Sequence, residues 1–187
     1  MVSERASVCM LRPHPDNDST AATGITVEAR LTAPGILVCD YVLHEKPGRL
    51  RLPERHGGAR TDGLWRHTCF EAFVSATGST GYYEFNFSPA GDWAAYAFSH
   101  YRDGMTNVAL VAAPGVHVEG KDTCLELSAT VDLAGLTDLT AAPHLQVALS
   151  AVVEDTEGAL SYWALQHAPG KPDFHHPDGF ILELSPP

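Results

Sequence analysis

Positive charge is scarce in this chain: 12 Lys and Arg stand against 23 Asp and Glu among 187 residues, a formal net charge of −11 with the histidines neutral. Affinity for phosphate backbones and anionic membrane surfaces comes from Lys and Arg, so neither nucleic acid nor membrane is expected as a partner. No stretch approaches the ~20 apolar residues of a membrane span. The N-terminal segment has one short apolar cluster, Val8 to Leu11, and lacks the apolar core of a signal peptide, so a cytoplasmic protein is expected. Cys9, Cys39, Cys69 and Cys124 show no C-x-x-C spacing, which argues against a zinc ribbon or redox pair and leaves four reduced, mostly packed thiols. G-x-S-x-G, phosphate-binding glycine loops, EF-hand spacing, internal repeats and a convincing amphipathic helix are also missing. What remains is a composition 44 % apolar and 19 % charged, ordinary for one globular domain over residues 1–187 with its core in about 6–185.

Period-two alternation is abundant. In extended chain alternate side chains point to opposite faces, and the stretch from Arg60 to Arg102 reads as three consecutive strands. Cys69, Glu71 and Phe73 share a face against Phe70, Ala72 and Val74; Tyr83, Phe85 and Phe87 oppose Tyr82, Glu84, Asn86 and Ser88; Trp93, Ala95 and Ala97 oppose Ala94, Tyr96 and Phe98. Gly78 to Gly81 and Pro89 to Asp92 supply the turns. Upstream, Ile25 to Leu31 alternates, Pro34 and Gly35 break it, and the run Ile36 to Leu43 reads as a central strand covered on both faces. Glu45 to Gly63 is a long polar loop, where binding groups tend to sit. Downstream, strands are expected at Val108–Val111, Val116–Glu119, Thr123–Val131, Leu145–Val153, Ala159–His167 and Phe180–Leu184, with one helical turn over Asp132–Leu139 capped by Asp132. About ten short strands imply an all-β sandwich or barrel.

Glu71 and Glu84 are unusual, because glutamate is depleted in strands and rarely buried alone. A wet face or a hydrated cleft would keep both ionised. Trp65, Trp93 and Trp163 fall on segments that also carry Arg60, Asp62, Glu71, Glu84, Asn86 and His167. Flat rings beside carboxylates, amides and a guanidinium suit a sugar, which offers C–H faces and a fringe of hydroxyls. The plain alternative is that such rings fill the core. His167, Asp173 and His175 could supply metal ligands if they converged, and loop residues Asp62, Asp92, Asp155 and Asp173 could supply calcium ligands.

The runs DGLWRHTCFEAFV, YYEFNFSPAGDWAAYAF and YWALQHAPGKPDFHHPDGFILEL resemble DOMON-like proteins related to type 9 carbohydrate-binding modules. The resemblance rests on Trp65, Glu71, Tyr83, Phe85, Ser88, Pro89, Gly91 and Trp93, then on Phe174, His175, Pro177 and Phe180. It implies an all-β, two-sheet antiparallel β-sandwich of jelly-roll type with a sugar or haem site on one sheet. The reading taken forward is a non-catalytic, cofactor-free carbohydrate-binding domain with Arg60, Asp62, Trp65, Glu71, Glu84, Asn86, Trp93, Trp163, His167 and His175 at the site. Its rivals are a metal-assisted enzyme on a sugar-like substrate, and a haem-binding domain using Met10 or Met105.

Overall fold

The computed structural model describes residues 6–17, 21–32, 35–55 and 57–185. Pro34, the expected strand breaker, lies outside these residues. Twelve strands form: β1 Ser7–Pro13, β2 Ala22–Thr32, β3 Ile36–Glu45, β4 Cys69–Ala76, β5 Tyr82–Phe87, β6 Trp93–Phe98, β7 Thr106–Asn107, β8 Gly115–Gly120, β9 Cys124–Asp132, β10 Leu145–Glu154, β11 Leu160–Ala164 and β12 Leu182–Leu184. They make two facing antiparallel sheets. One runs β1-β2-β3-β9-β8, the other β7-β6-β5-β4-β10-β11, with β12 also on β10. β1 ties them together, because Ser7–Leu11 pairs with β2 while Arg12 and Pro13 pair with β11. No helix among the described residues is long and apolar enough to cross a membrane.

The alternation read from the sequence fills the space between the sheets. Ile25, Val27, Ala29 and Leu31 of β2 and Leu37, Cys39, Tyr41 and Leu43 of β3 meet Phe70, Ala72, Val74, Phe85, Phe87, Val147, Leu149 and Ala151 of the other sheet. Each fully buried Leu, Ile or Phe stabilises by ~1.5–3 kcal/mol relative to exposure, so this layer dominates folding. All four cysteines are free, with Cys39 and Cys69 buried.

Some expectations shift. β3 is central in position, between β2 and β9, but Asp40, Val42 and His44 on its outer face are partly or fully exposed, so only one face is in the core. The Val108–Val111 strand reduces to Thr106–Asn107, and Asp132 ends β9 and caps a turn at Ala134 instead of a helix. The one α-helix among the described residues, α1, is Thr137–Thr140. Local apolar character cannot show where the partner strand runs out, and that is what ends these strands.

The second sheet is buried on both faces. A second, smaller core lies on its outer side, built from Phe73, Tyr82, Ala94, Tyr96, Phe98 and Ala148, and packed by Leu64, Phe174 and Phe180 from two covering segments. One is the 3-10 turn Leu64–Arg66, entered through Gly63 at φ 78, a conformation that glycine adopts without a Cβ clash. The other is the loop 172–180.

Candidate functional site

The outer face of the second sheet carries a cleft of about 650 Å³. Glu71 and Phe73 of β4, Glu84 of β5, Tyr96 and Phe98 of β6, Val152 of β10 and Leu160 and Tyr162 of β11 form its floor and sides; Trp65, Arg66, Arg102, Met105, Phe174 and His175 close over it from the loops. Antiparallel register makes the two glutamates diagonal neighbours: Glu71 stands opposite Asn86, and Glu84 opposite Phe73.

The carboxyls are not equivalent. Glu71 is only 2 % exposed and accepts a hydrogen bond from Ser150 Oγ at 3.1 Å. Burial, reinforced by the charge of Glu84, pushes it up to about 8, so it is protonated at neutral pH. The sequence expectation that both stay ionised is corrected for Glu71: this position is dry. Glu84 is also raised by burial, but Asn86 Nδ2 donates to it at 2.7 Å and Arg102 favours its charge.

His175 forms one wall. Its ring packs among Phe73, Tyr82 and Phe98, and burial lowers it to about 4. Tyr82 Oη accepts from the Arg102 backbone N–H at 3.2 Å and lies 2.8 Å from His175 Nδ1. The single hydroxyl proton is best used toward Nδ1, which places the imidazole proton on Nε2, 3.8 Å from Glu84 Oε2. That contact therefore joins a neutral ring to a carboxyl.

A latch holds the covering loop. Arg102 donates from Nε and Nη2 to Asp173 Oδ1 at 3.1 and 2.7 Å, Tyr101 Oη donates to Asp173 Oδ2, and Asp173 in turn accepts from the His175 N–H at 3.1 Å. Arg102 sits at φ 53, a left-handed conformation that costs a non-glycine residue ~1–2 kcal/mol. Two variants separate these terms. Both Arg102→Ala and Arg102→Gly lose the ion pair, worth ~1 kcal/mol in this half-exposed setting, but the glycine variant should be ~1 kcal/mol more stable than the alanine one because it alone removes the strain. Denaturant midpoints at equal slope measure this.

Of the ten residues expected at the site, Trp65, Glu71, Glu84 and His175 line the cleft. Asn86 lies just under it, fully buried, holding Glu84. Asp62 and Arg60 stand behind one side: Asp62 accepts from Tyr96 Oη at 2.6 Å and pairs with Arg60 at 3.0 Å, while the Arg60 guanidinium lies 5.4 Å from the Tyr96 ring centre and donates to Asn107. Trp93 is turned toward the core at the start of β6, where its backbone pairs with the 59–61 segment. Trp163 is in the core between the sheets, 3 % exposed, with Nε1 donating to Ser161 Oγ. His167 is elsewhere, donating from Nε2 to Arg12 O with its ring edge-on to His14.

His167, Asp173 and His175 thus do not converge, and among the described residues no group of three His, Cys, Asp or Glu is placed to hold a metal ion. The calcium candidates are dispersed, with Asp92 accepting from Ala59 N–H and Asp155 from the Glu157 and Ala159 N–H groups. Met105 is at the cleft, and Met10 is exposed on β1. Tyr96 and Phe98 were findable by parity, since they share the outer face with Glu84 through the β5–β6 pairing. Arg66, Arg102 and Tyr162 carried no local pattern.

No family model matches the sequence, and none of the curated proteins matches it. Solved structures do share its fold. A proposed carbohydrate-binding protein from Bacteroides uniformis superposes with a TM-score of 0.67 at 14 % identity, covering 98 % of this chain and 87 % of that one. A family 9 carbohydrate-binding module from Caldicellulosiruptor kristjanssonii, solved with cellotriose and with glucose, gives TM-scores of 0.58 and 0.55 at 9 % identity. Those superpositions cover 97 % and 95 % of this chain and 82 % and 84 % of the module. The β-sandwich expected from the resemblance to type 9 modules is the fold these neighbours have.

Proposed function

We propose that the cleft binds a carbohydrate and does not transform it. The carrying observation is the floor: one protonated and one ionisable carboxyl, Glu71 and Glu84, set between the aromatic walls of Trp65, Tyr96, Phe98, Tyr162 and Phe174. A neutral carboxyl donates and an ionised one accepts, which suits hydroxyls that do both. Trp65, 38 % exposed and edge-on to Tyr96 at 6.0 Å, offers a ring face for sugar C–H groups. Sugar binding named for the Bacteroides and Caldicellulosiruptor proteins supports the same reading.

Titration calorimetry with glucose, cello-oligosaccharides and xylo-oligosaccharides tests it. Trp65→Ala should weaken the best of these by roughly 10- to 100-fold, and the melting temperature should hardly move because the ring is not in the core. Wild-type protein that binds none of them defeats the reading.

A further inference from the structure

We propose that His175 and Glu84 form a slot for one particular hydroxyl of the bound sugar, and that His175 thereby decides which sugars the cleft accepts; this rests on the carbohydrate reading above. The two side chains offer opposite halves of a hydrogen bond. Tyr82 Oη, 2.8 Å from His175 Nδ1, keeps the imidazole proton on Nε2, and Nε2 stands 3.8 Å from Glu84 Oε2. That separation is too long for a hydrogen bond between them. Both atoms nevertheless reach open space. Among the described residues, His14 Nε2 and His167 Nδ1 are the only side-chain nitrogen or oxygen atoms sealed inside the protein without a hydrogen-bond partner. His175 Nε2 and Glu84 Oε2 also take no hydrogen bond among these residues, so neither is sealed, and both open onto the cleft that their residues line.

Neither group is free to turn away. The imidazole packs edge-on against Phe73 and Phe98, each at 5.1 Å, and its backbone N–H is held by Asp173 at 3.1 Å. Asn86 Nδ2 takes Glu84 Oε1 at 2.7 Å and leaves Oε2 for a ligand. A hydroxyl oxygen seated about 2.8 Å from each atom accepts from Nε2–H and donates to Oε2, two roles that one hydroxyl fills. A ring position bearing hydrogen fills neither role. A methyl ether accepts but cannot donate, and an ammonium group donates to Glu84 but turns another N–H on Nε2–H. Burial keeps the imidazole neutral down to about 4, so the pattern of one donor and one acceptor holds at neutral pH.

Calorimetry tests the slot, using whichever of glucose and xylose binds more tightly and the full set of its monodeoxy and mono-O-methyl derivatives. In the wild-type protein one ring position should stand out: removing or methylating its hydroxyl should weaken binding roughly 10- to 100-fold, because a donor and an acceptor are then desolvated without a partner. His175→Phe keeps a flat ring against Phe73 and Phe98 and removes Nε2–H. It should weaken the parent sugar, shrink the penalty at that one position by about tenfold and leave the penalties at the other positions unchanged. Nitrogen NMR of the free protein checks the donor without a ligand, and should show His175 neutral with its proton on Nε2. A proton on Nδ1, or position penalties that are the same in His175→Phe as in wild type, overturns the slot and leaves sugar binding standing. No binding of glucose, xylose or their oligomers overturns the carbohydrate reading and the slot with it.

Discussion

Trp163→Ala should cost ~3–5 kcal/mol of folding free energy, the range for removing a buried tryptophan and leaving a cavity. Trp163 lies opposite Ala151 in the β10–β11 pairing, faces the core between the sheets and is 3 % exposed. Its Nε1–H is satisfied inside the protein by Ser161 Oγ at 3.2 Å, so truncation also strips that hydroxyl of a partner. Trp65 makes the contrast, because its truncation empties part of an open cleft. Guanidinium denaturation should show the Trp163 variant with a much lower midpoint and Trp65→Ala near wild type. Equal midpoints for the two would mean that Trp163 is not a core residue.

Between pH 6.5 and 8.5 the wild-type protein should lose about 2 kcal/mol of stability, and Glu71→Gln should lose little. The folded state holds the Glu71 proton up to about 8, whereas in the unfolded chain the group ionises near its ordinary value of 4.5. A group with a raised folded pKa binds more protons folded than unfolded, so stability falls as pH climbs toward 8 and levels off above it. Glu84 is raised in the same direction by burial. His175 acts oppositely but lower: its folded value near 4 lies below its ordinary 6.5, so its contribution improves between those values and is complete by pH 6.5. The window above 6.5 therefore reports Glu71. Glutamine stays neutral at every pH and can still accept from Ser150, so the variant should melt higher than wild type at pH 8.5. Parallel wild-type and variant curves across that window would show that Glu71 is ionised and the cleft floor wet.

Within each strand of the central meander, alternation alone placed Glu71, Glu84, Tyr82, Tyr96 and Phe98 on one side and Phe70, Phe85 and Phe87 on the other. That followed because the period of two is a property of the extended backbone itself. Consecutive strands, their turns and an all-β sandwich or barrel were legible for the same reason, and the resemblance to type 9 modules selected the sandwich. Which of two alternating faces turns inward is a different question, since it depends on what packs there. Trp163 reads like any strand aromatic, yet its side of β11 meets the opposing sheet, while Tyr162 beside it meets the cleft. The dryness of Glu71 was equally hidden: it comes from segments around Trp65 and Phe174 folding over a face that the strand pattern alone would leave to water. Arg102 and Asp173, 71 residues apart, fasten that cover. No local pattern specifies such a pairing, because it exists only once the two sheets have docked and brought the loop 172–175 back across β6.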